Sequence, residues 1–167
     1  PLLLLLDAPG AAPADAAAKR LARAGAEVLR AADAASAIVA IDRARRGPAV
    51  LIAEGVAAGT ARHVAASRPD LMRGVVLIAE PPAAGTEARR ESPVGAVLRI
   101  NAGGADDEFG SRATDLRIDG GDGALLGTRT DATVDAILRW IDGPSLSSAQ
   151  AGRRIEQPTD VAAMSAK

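Results

Sequence analysis

Six acidic residues, Asp7, Glu54, Glu80, Asp106, Asp107 and Asp122, stand at or just beyond the ends of short apolar runs. Carboxylates gathered in this way repel one another unless a cation sits among them or arginines pair with them. Mg²⁺ or Ca²⁺ would suit carboxylate oxygens, with Asp7, Glu54 and Asp106 as the ligands, whereas pairing with Arg62, Arg73 or Arg112 would remove the need for a metal. A second pattern is Ala53-Glu54-Gly55-Val56-Ala57. Small residues two before and two after a central position are what a sharp strand-to-helix turn needs when it presents a nucleophile, because strand and helix meet there at close quarters. Ala53 and Ala57 meet that requirement, but the centre is Gly55, which has no side chain to attack with.

Positioning such groups takes a regular scaffold. Leu2 to Leu6, Glu27 to Ala31, Ala49 to Ala53, Gly74 to Ala79, Val94 to Asn101 and Asp115 to Asp119 read as strands, several of them continuously apolar as parallel strands covered on both faces are. Pro13 to Arg23, Asp33 to Arg46, an Ala-rich stretch after Val56, and Asp131 to Ile141 read as helices. Alternation at this spacing predicts an α/β fold in three layers, a mostly parallel sheet of six strands with helices on both faces. The predicted body spans residues 1–143. Pro81 to Pro93 has no apolar period and reads as a loop. Residues 144–167, rich in Ser, Gln, Arg and Ala, are expected to form a loosely held or partner-docking tail.

Arg68-Pro69-Asp70-Leu71-Met72-Arg73-Gly74-Val75-Val76-Leu77, following the Gly55 turn and its helix, resembles the return strand of the α/β-hydrolase family, in which a G-x-S-x-G turn precedes an RP-D-x-x-R-G-x-V-L run. The resemblance covers Pro1 to Gly143. It implies that the chain enters at the family's third strand, lacks the first two and the lid, and leaves the Glu27 to Ala31 strand at a sheet edge. It also implies the places of the catalytic groups. Gly55 holds the nucleophile position. Asp122, within Gly120-Gly121-Asp122-Gly123, holds the histidine position, and Asp106 the orienting acid. Leu6-Asp7-Ala8-Pro9-Gly10 matches the oxyanion loop, with Asp7 where that loop has a histidine. With nucleophile and base both replaced, the resemblance implies a degenerate, non-catalytic hydrolase-like domain with no cofactor. The run from Leu2 to Glu54 also resembles a response-regulator receiver, with Asp7 at its acidic pocket and Glu54 at the phospho-accepting position, but that likeness fades beyond Glu54.

No other residue supplies the missing chemistry. His63, the single histidine, falls about two turns into the helix after Gly55 and is expected to be a surface or packing residue. Ser67, Ser92, Ser145, Ser147 and Ser148 have no base beside them. Gly103-Gly104 and Gly120-Gly121 lack the flanking residues of a phosphate loop and read as turns. Arg43-Ala44-Arg45-Arg46 is accounted for by the dipole at a helix end.

Composition narrows the function classes. At 167 residues with a net charge of −1, the chain has the length of one domain and no field that would favour nucleic acid or an anionic membrane. Phe109 and Trp140 are its only aromatics, too few for stacking platforms, and the absence of cysteine removes disulfides and thiolate chemistry. The opening Pro1-Leu2-Leu3-Leu4-Leu5-Leu6 is shorter than a membrane span and has no basic flank, so it reads as a buried strand that has lost an initiator Met or a leader. A catalytic N-terminal proline amine would need a different fold plan. The expectation is a soluble protein of the cytoplasm or an organellar matrix, not inserted in a membrane. Its contacts would be with a protein partner or a second copy through the Glu27 to Ala31 edge or the tail. A small-ligand or cation-binding module, and an esterase-like or other enzyme using the strand-end carboxylates, are the alternatives.

Overall fold

The computed structural model describes residues 1–7, 14–80, 96–102, 113–118 and 124–143. The elements in chain order are β1 (Leu2–Leu6), α1 (Asp15–Arg23), β2 (Glu27–Ala31), α2 (Ala34–Ala44), β3 (Ala49–Glu54), α3 (Ala57–Ser67), a single 3₁₀ turn (Pro69–Leu71), β4 (Met72–Ile78), β5 (Ala96–Ala102), β6 (Ala113–Ile118), α4 (Leu125–Thr128) and α5 (Thr130–Asp142).

The six strands form one sheet in the order β2-β1-β3-β4-β5-β6, and every pair is parallel. Among the described strands β2 lies at an edge, as the resemblance implied. Successive residues of a strand point to opposite faces, so the sheet divides the interior into two cores. Leu3, Leu5, Val50, Ile52, Val76, Ile78, Leu98 and Ile100 face α1, α4 and α5. Leu2, Leu4, Leu6, Leu51, Ala53, Val75, Leu77 and Val97 share the other core with Ala37, Ile41, Ala61 and Val64 of α2 and α3. Both faces of the central strands are therefore dry, which explains why their sequences run apolar without a break.

Trp140 of α5 is 93% buried among aliphatic side chains of the first core, and its indole N–H finds no acceptor among the described residues.

Local chemistry sets the element ends. The Asp33 carboxylate accepts the Ser36 backbone N–H at 2.7 Å while Ser36 Oγ accepts the Asp33 N–H at 3.2 Å, a reciprocal cap on α2. The Ser36 backbone N–H first, and the Ser36 hydroxyl second, hold the Asp33 carboxyl below its ordinary value of 3.8. A folded-state value below the unfolded one means the contribution is complete above the unfolded value and is lost as pH falls through the folded value. The stability difference between wild type and Asp33→Ala in urea unfolding is therefore expected to be largest near neutral pH. It should shrink as the pH falls from about 5 through the lowered folded-state value, and a difference unchanged by acid would contradict the charged cap.

Most element ends fall within two residues of expectation, and two differences have a physical reason. β4 begins at Met72 and stops at Ile78, because Ala79 takes a left-handed φ of 47° and turns the chain out of the sheet. The four-residue α4 was not foreseen, being too short to show a period. The loop expected over Pro81 to Pro93 and the tail expected over residues 144–167 lie outside the described residues.

Candidate functional site at the carboxyl edge of the sheet

The chain reverses its winding between β1 and β3. From β1 it passes through α1 on one face to β2, and from β3 through α3 on the other face to β4. In open parallel sheets such a switch leaves a crevice outside the strands' carboxyl ends, where ligands bind. The register Leu6↔Ala53 places Asp7 and Glu54 side by side at that crevice.

At its floor β3 runs into Gly55, with φ 60°, and then straight into α3. The Gly55 N–H donates to Ile78 O at 2.8 Å and its carbonyl accepts from Ala58 N at 3.1 Å, so the turn is tied to both the neighbouring strand and the helix it opens. A left-handed φ is reached by glycine with little strain and costs other residues about 1 kcal/mol or more. A Cβ built at Gly55 would meet no atom within 4 Å among the described residues. Among the described residues it is backbone conformation, not crowding, that favours glycine here.

The strand-end acids are engaged in three separate contacts. Arg30, at the carboxyl end of β2, donates from Nε and Nη2 to the two Asp7 carboxylate oxygens at 2.8 and 2.9 Å, and its Nη1 reaches Asp15 at the start of α1. Asp7 first and Asp15 second raise the Arg30 pKa above its ordinary value. Arg62 of α3 forks onto Glu80 at 2.6 and 2.7 Å, in a setting where the side chains retain only 13% and 22% of their exposure. Glu54 Oε1 accepts the Leu126 N–H of α4 at 2.9 Å. Among the described residues no three potential metal ligands gather closely enough to hold an ion. The repulsion expected among these acids is relieved instead by guanidinium groups and a backbone amide.

Of the arginines considered for this role, Arg62 fills it. Arg73 lies at the opposite, amino end of β4, out of reach, and Arg112 is outside the described residues. Arg30 was missed. Strand alternation and the parallel register Leu5↔Arg30 were the signals that could have placed it beside the Asp7 strand end. Asp106, Asp107 and Asp122, the remaining ligand candidates, lie outside the described residues. His63 and Ser67 are exposed on α3.

No protein-family model and no curated protein sequence matches the chain. Solved structures do. A thioesterase domain from the curacin biosynthetic pathway superposes with a TM-score of 0.63 at 12% identity, covering 83% of this chain and 90% of that one. Est1E from Butyrivibrio proteoclasticus gives 0.61 at 12% identity over 86% and 89%. The DbeA-M1 loop variant of a haloalkane dehalogenase from Bradyrhizobium elkanii gives 0.62 at 12% identity over 91% of each chain. The fold of this protein is the α/β-hydrolase fold. No described helix is long and apolar enough to cross a membrane.

Proposed function

We propose that this protein is a catalytically silent α/β-hydrolase-fold domain that acts by contact, as a structural or interaction subunit. The observation that carries this reading is Gly55, at the apex of a strand-turn-helix elbow whose backbone has the conformation of a nucleophile position and whose side chain is missing. Serine hydrolysis needs a nucleophile, a base and an orienting acid. Gly55 offers no nucleophile, His63 points to solvent from α3, and Glu54 and Glu80 at the crevice are already held. The β2 edge, or the 144–167 segment, is the surface such a subunit would use.

A second reading is supported by the absence of any described atom within 4 Å of a Cβ built at Gly55. A small ligand or cation could sit at the switch point, lined by Asp7, Glu54 and Glu80, with Asp106, Asp107 and Asp122 as further candidates from the sequence.

Incubation with a fluorophosphonate probe and with short-chain p-nitrophenyl esters is expected to give no stoichiometric label and no turnover above buffer. Gly55→Ser should lower stability by about 1 kcal/mol through its left-handed φ and should also stay unlabelled, for want of a base. Stoichiometric labelling of the wild-type protein would overturn the non-catalytic reading.

A further inference from the structure

The amino end of the sheet, opposite the crevice, carries four arginines, of which Arg46 alone has an acidic partner among the described residues. Arg23 ends α1, Arg43 lies in the last turn of α2, and Arg45 and Arg46 follow it, all of them exposed. The two helices flank the edge strand β2 from opposite faces of the sheet, and Arg46 reaches across to Glu27, the first residue of that strand, at 2.9 Å. The cluster is thus centred on one corner. Glu27 pairs with Arg46, and Asp42 lies 3.5 Å from Arg68, whose closer partner is Asp70 at 2.8 Å; Arg23, Arg43 and Arg45 have no acidic partner among the described residues.

The helix dipole favours a cation at the end of α2 but does not require three of them there. Arg45 adopts a left-handed φ of 49°, where glycine would be the stable choice, so a cation is held there against local backbone preference. At the other end of β2 the charge is reversed in character, since Arg30 is consumed by Asp7 and Asp15. Among the described residues β2 pairs only with β1, so its outer backbone groups face no other strand.

From this juxtaposition we infer that β2 and the arginine corner together receive an extended, carboxylate-rich segment of a partner protein. Its backbone continues the sheet along 27–31 and its acidic side chains meet Arg23, Arg43 and Arg45. Strand addition supplies main-chain hydrogen bonds, and the free guanidinium groups select the sign of charge and the end of the strand at which it lies. The inference rests on the reading of the domain as an interaction subunit and names the chemistry of the partner.

The test uses the full chain with two fluorescent peptides, an octamer of alternating Glu-Glu and Val-Val pairs, which as a strand carries carboxylates on both faces, and its Lys/Val counterpart. Anisotropy at low salt should show binding of the acidic peptide alone, weakened about tenfold or more in the Arg23→Glu/Arg43→Glu/Arg45→Glu variant, and weakened by salt on the scale of a Debye length of about 10 Å. Arg23→Gln/Arg43→Gln/Arg45→Gln, with a circular dichroism spectrum matching wild type, guards against misfolding and should weaken binding to a smaller degree. Amide exchange of 27–31 should slow when the acidic peptide is bound. Equal binding of both peptides, equal binding of a DNA oligonucleotide of the same charge, or unchanged exchange at 27–31 would overturn the inference. So would full protection of 27–31 in the free monomer, which assigns the edge to this chain's own residues, or in a dimer, which assigns it to a second copy. Probe labelling or ester turnover in the same preparation bears only on the non-catalytic reading, so the two failures are told apart.

Discussion

Arg62→Ala is expected to lower unfolding stability by about 2–3 kcal/mol, because it strands the Glu80 carboxylate in a half-buried site. The pair is bidentate at 2.6 and 2.7 Å and joins the middle of α3 to the residue that follows the left-handed turn at Ala79. Removing both charges should cost less than removing one, since the larger part of the single-variant loss is an unpaired charge, not a lost attraction. Arg62→Met with Glu80→Gln is expected to recover about 1 kcal/mol or more relative to Arg62→Met alone, a coupling of the size found for contacting groups. Urea unfolding of the four proteins in the cycle, followed by circular dichroism, measures it. A single-variant loss below about 0.5 kcal/mol with no coupling would place the pair among surface bridges that hold nothing.

Leu51→Ala should cost more, about 3–4 kcal/mol, from lost burial and from the cavity left behind. Leu51 is fully buried in the middle of β3, and its side chain fills the core under α2 and α3. That core is lined mostly by Ala37, Ala57, Ala58, Ala61 and Ala65 on the helix side. Alanines have no side-chain torsion with which to close a gap, so relaxation should be slight and the cost should fall in the upper part of the usual range. Leu51→Ile, which keeps the volume, is expected to cost less than about 1.5 kcal/mol, and Val39→Ala on the exposed side of α2 less than about 0.5 kcal/mol. Thermal or urea midpoints that fail to separate Leu51→Ala from Val39→Ala would contradict the two-core packing.

Legibility differed sharply between backbone and side chains. Leu2–Leu6 and the Ala49 to Ala53 part of β3 could be read because a strand buried on both faces must be apolar at every buried position. The Gly55 elbow could be read because close approach of β3 and α3 demands small residues at 53 and 57, and the left-handed φ then agrees with the glycine between them. The partners of the acids were harder. Asp7 meets Arg30 only because β2 lies beside β1 in a particular register, and Glu54 meets Leu126 across 72 positions of sequence. Neither follows from local spacing. The end of β4 was misplaced by one residue because alanine gives no warning of a left-handed turn, whereas a glycine at 79 would have.

The burial of Trp140 has a spectroscopic consequence. The chain has one tryptophan and no tyrosine, so nearly all of its near-ultraviolet emission comes from a single indole on α5. That indole senses the layer of α1, α4 and α5 and is separated by the sheet from the layer of α2 and α3. Fluorescence therefore follows the undocking of one layer, while far-ultraviolet circular dichroism follows the whole backbone. Coincidence of the two transitions would mean that the sheet couples both cores into one cooperative unit. A gap between them would mark the alanine-lined side as a unit that opens on its own.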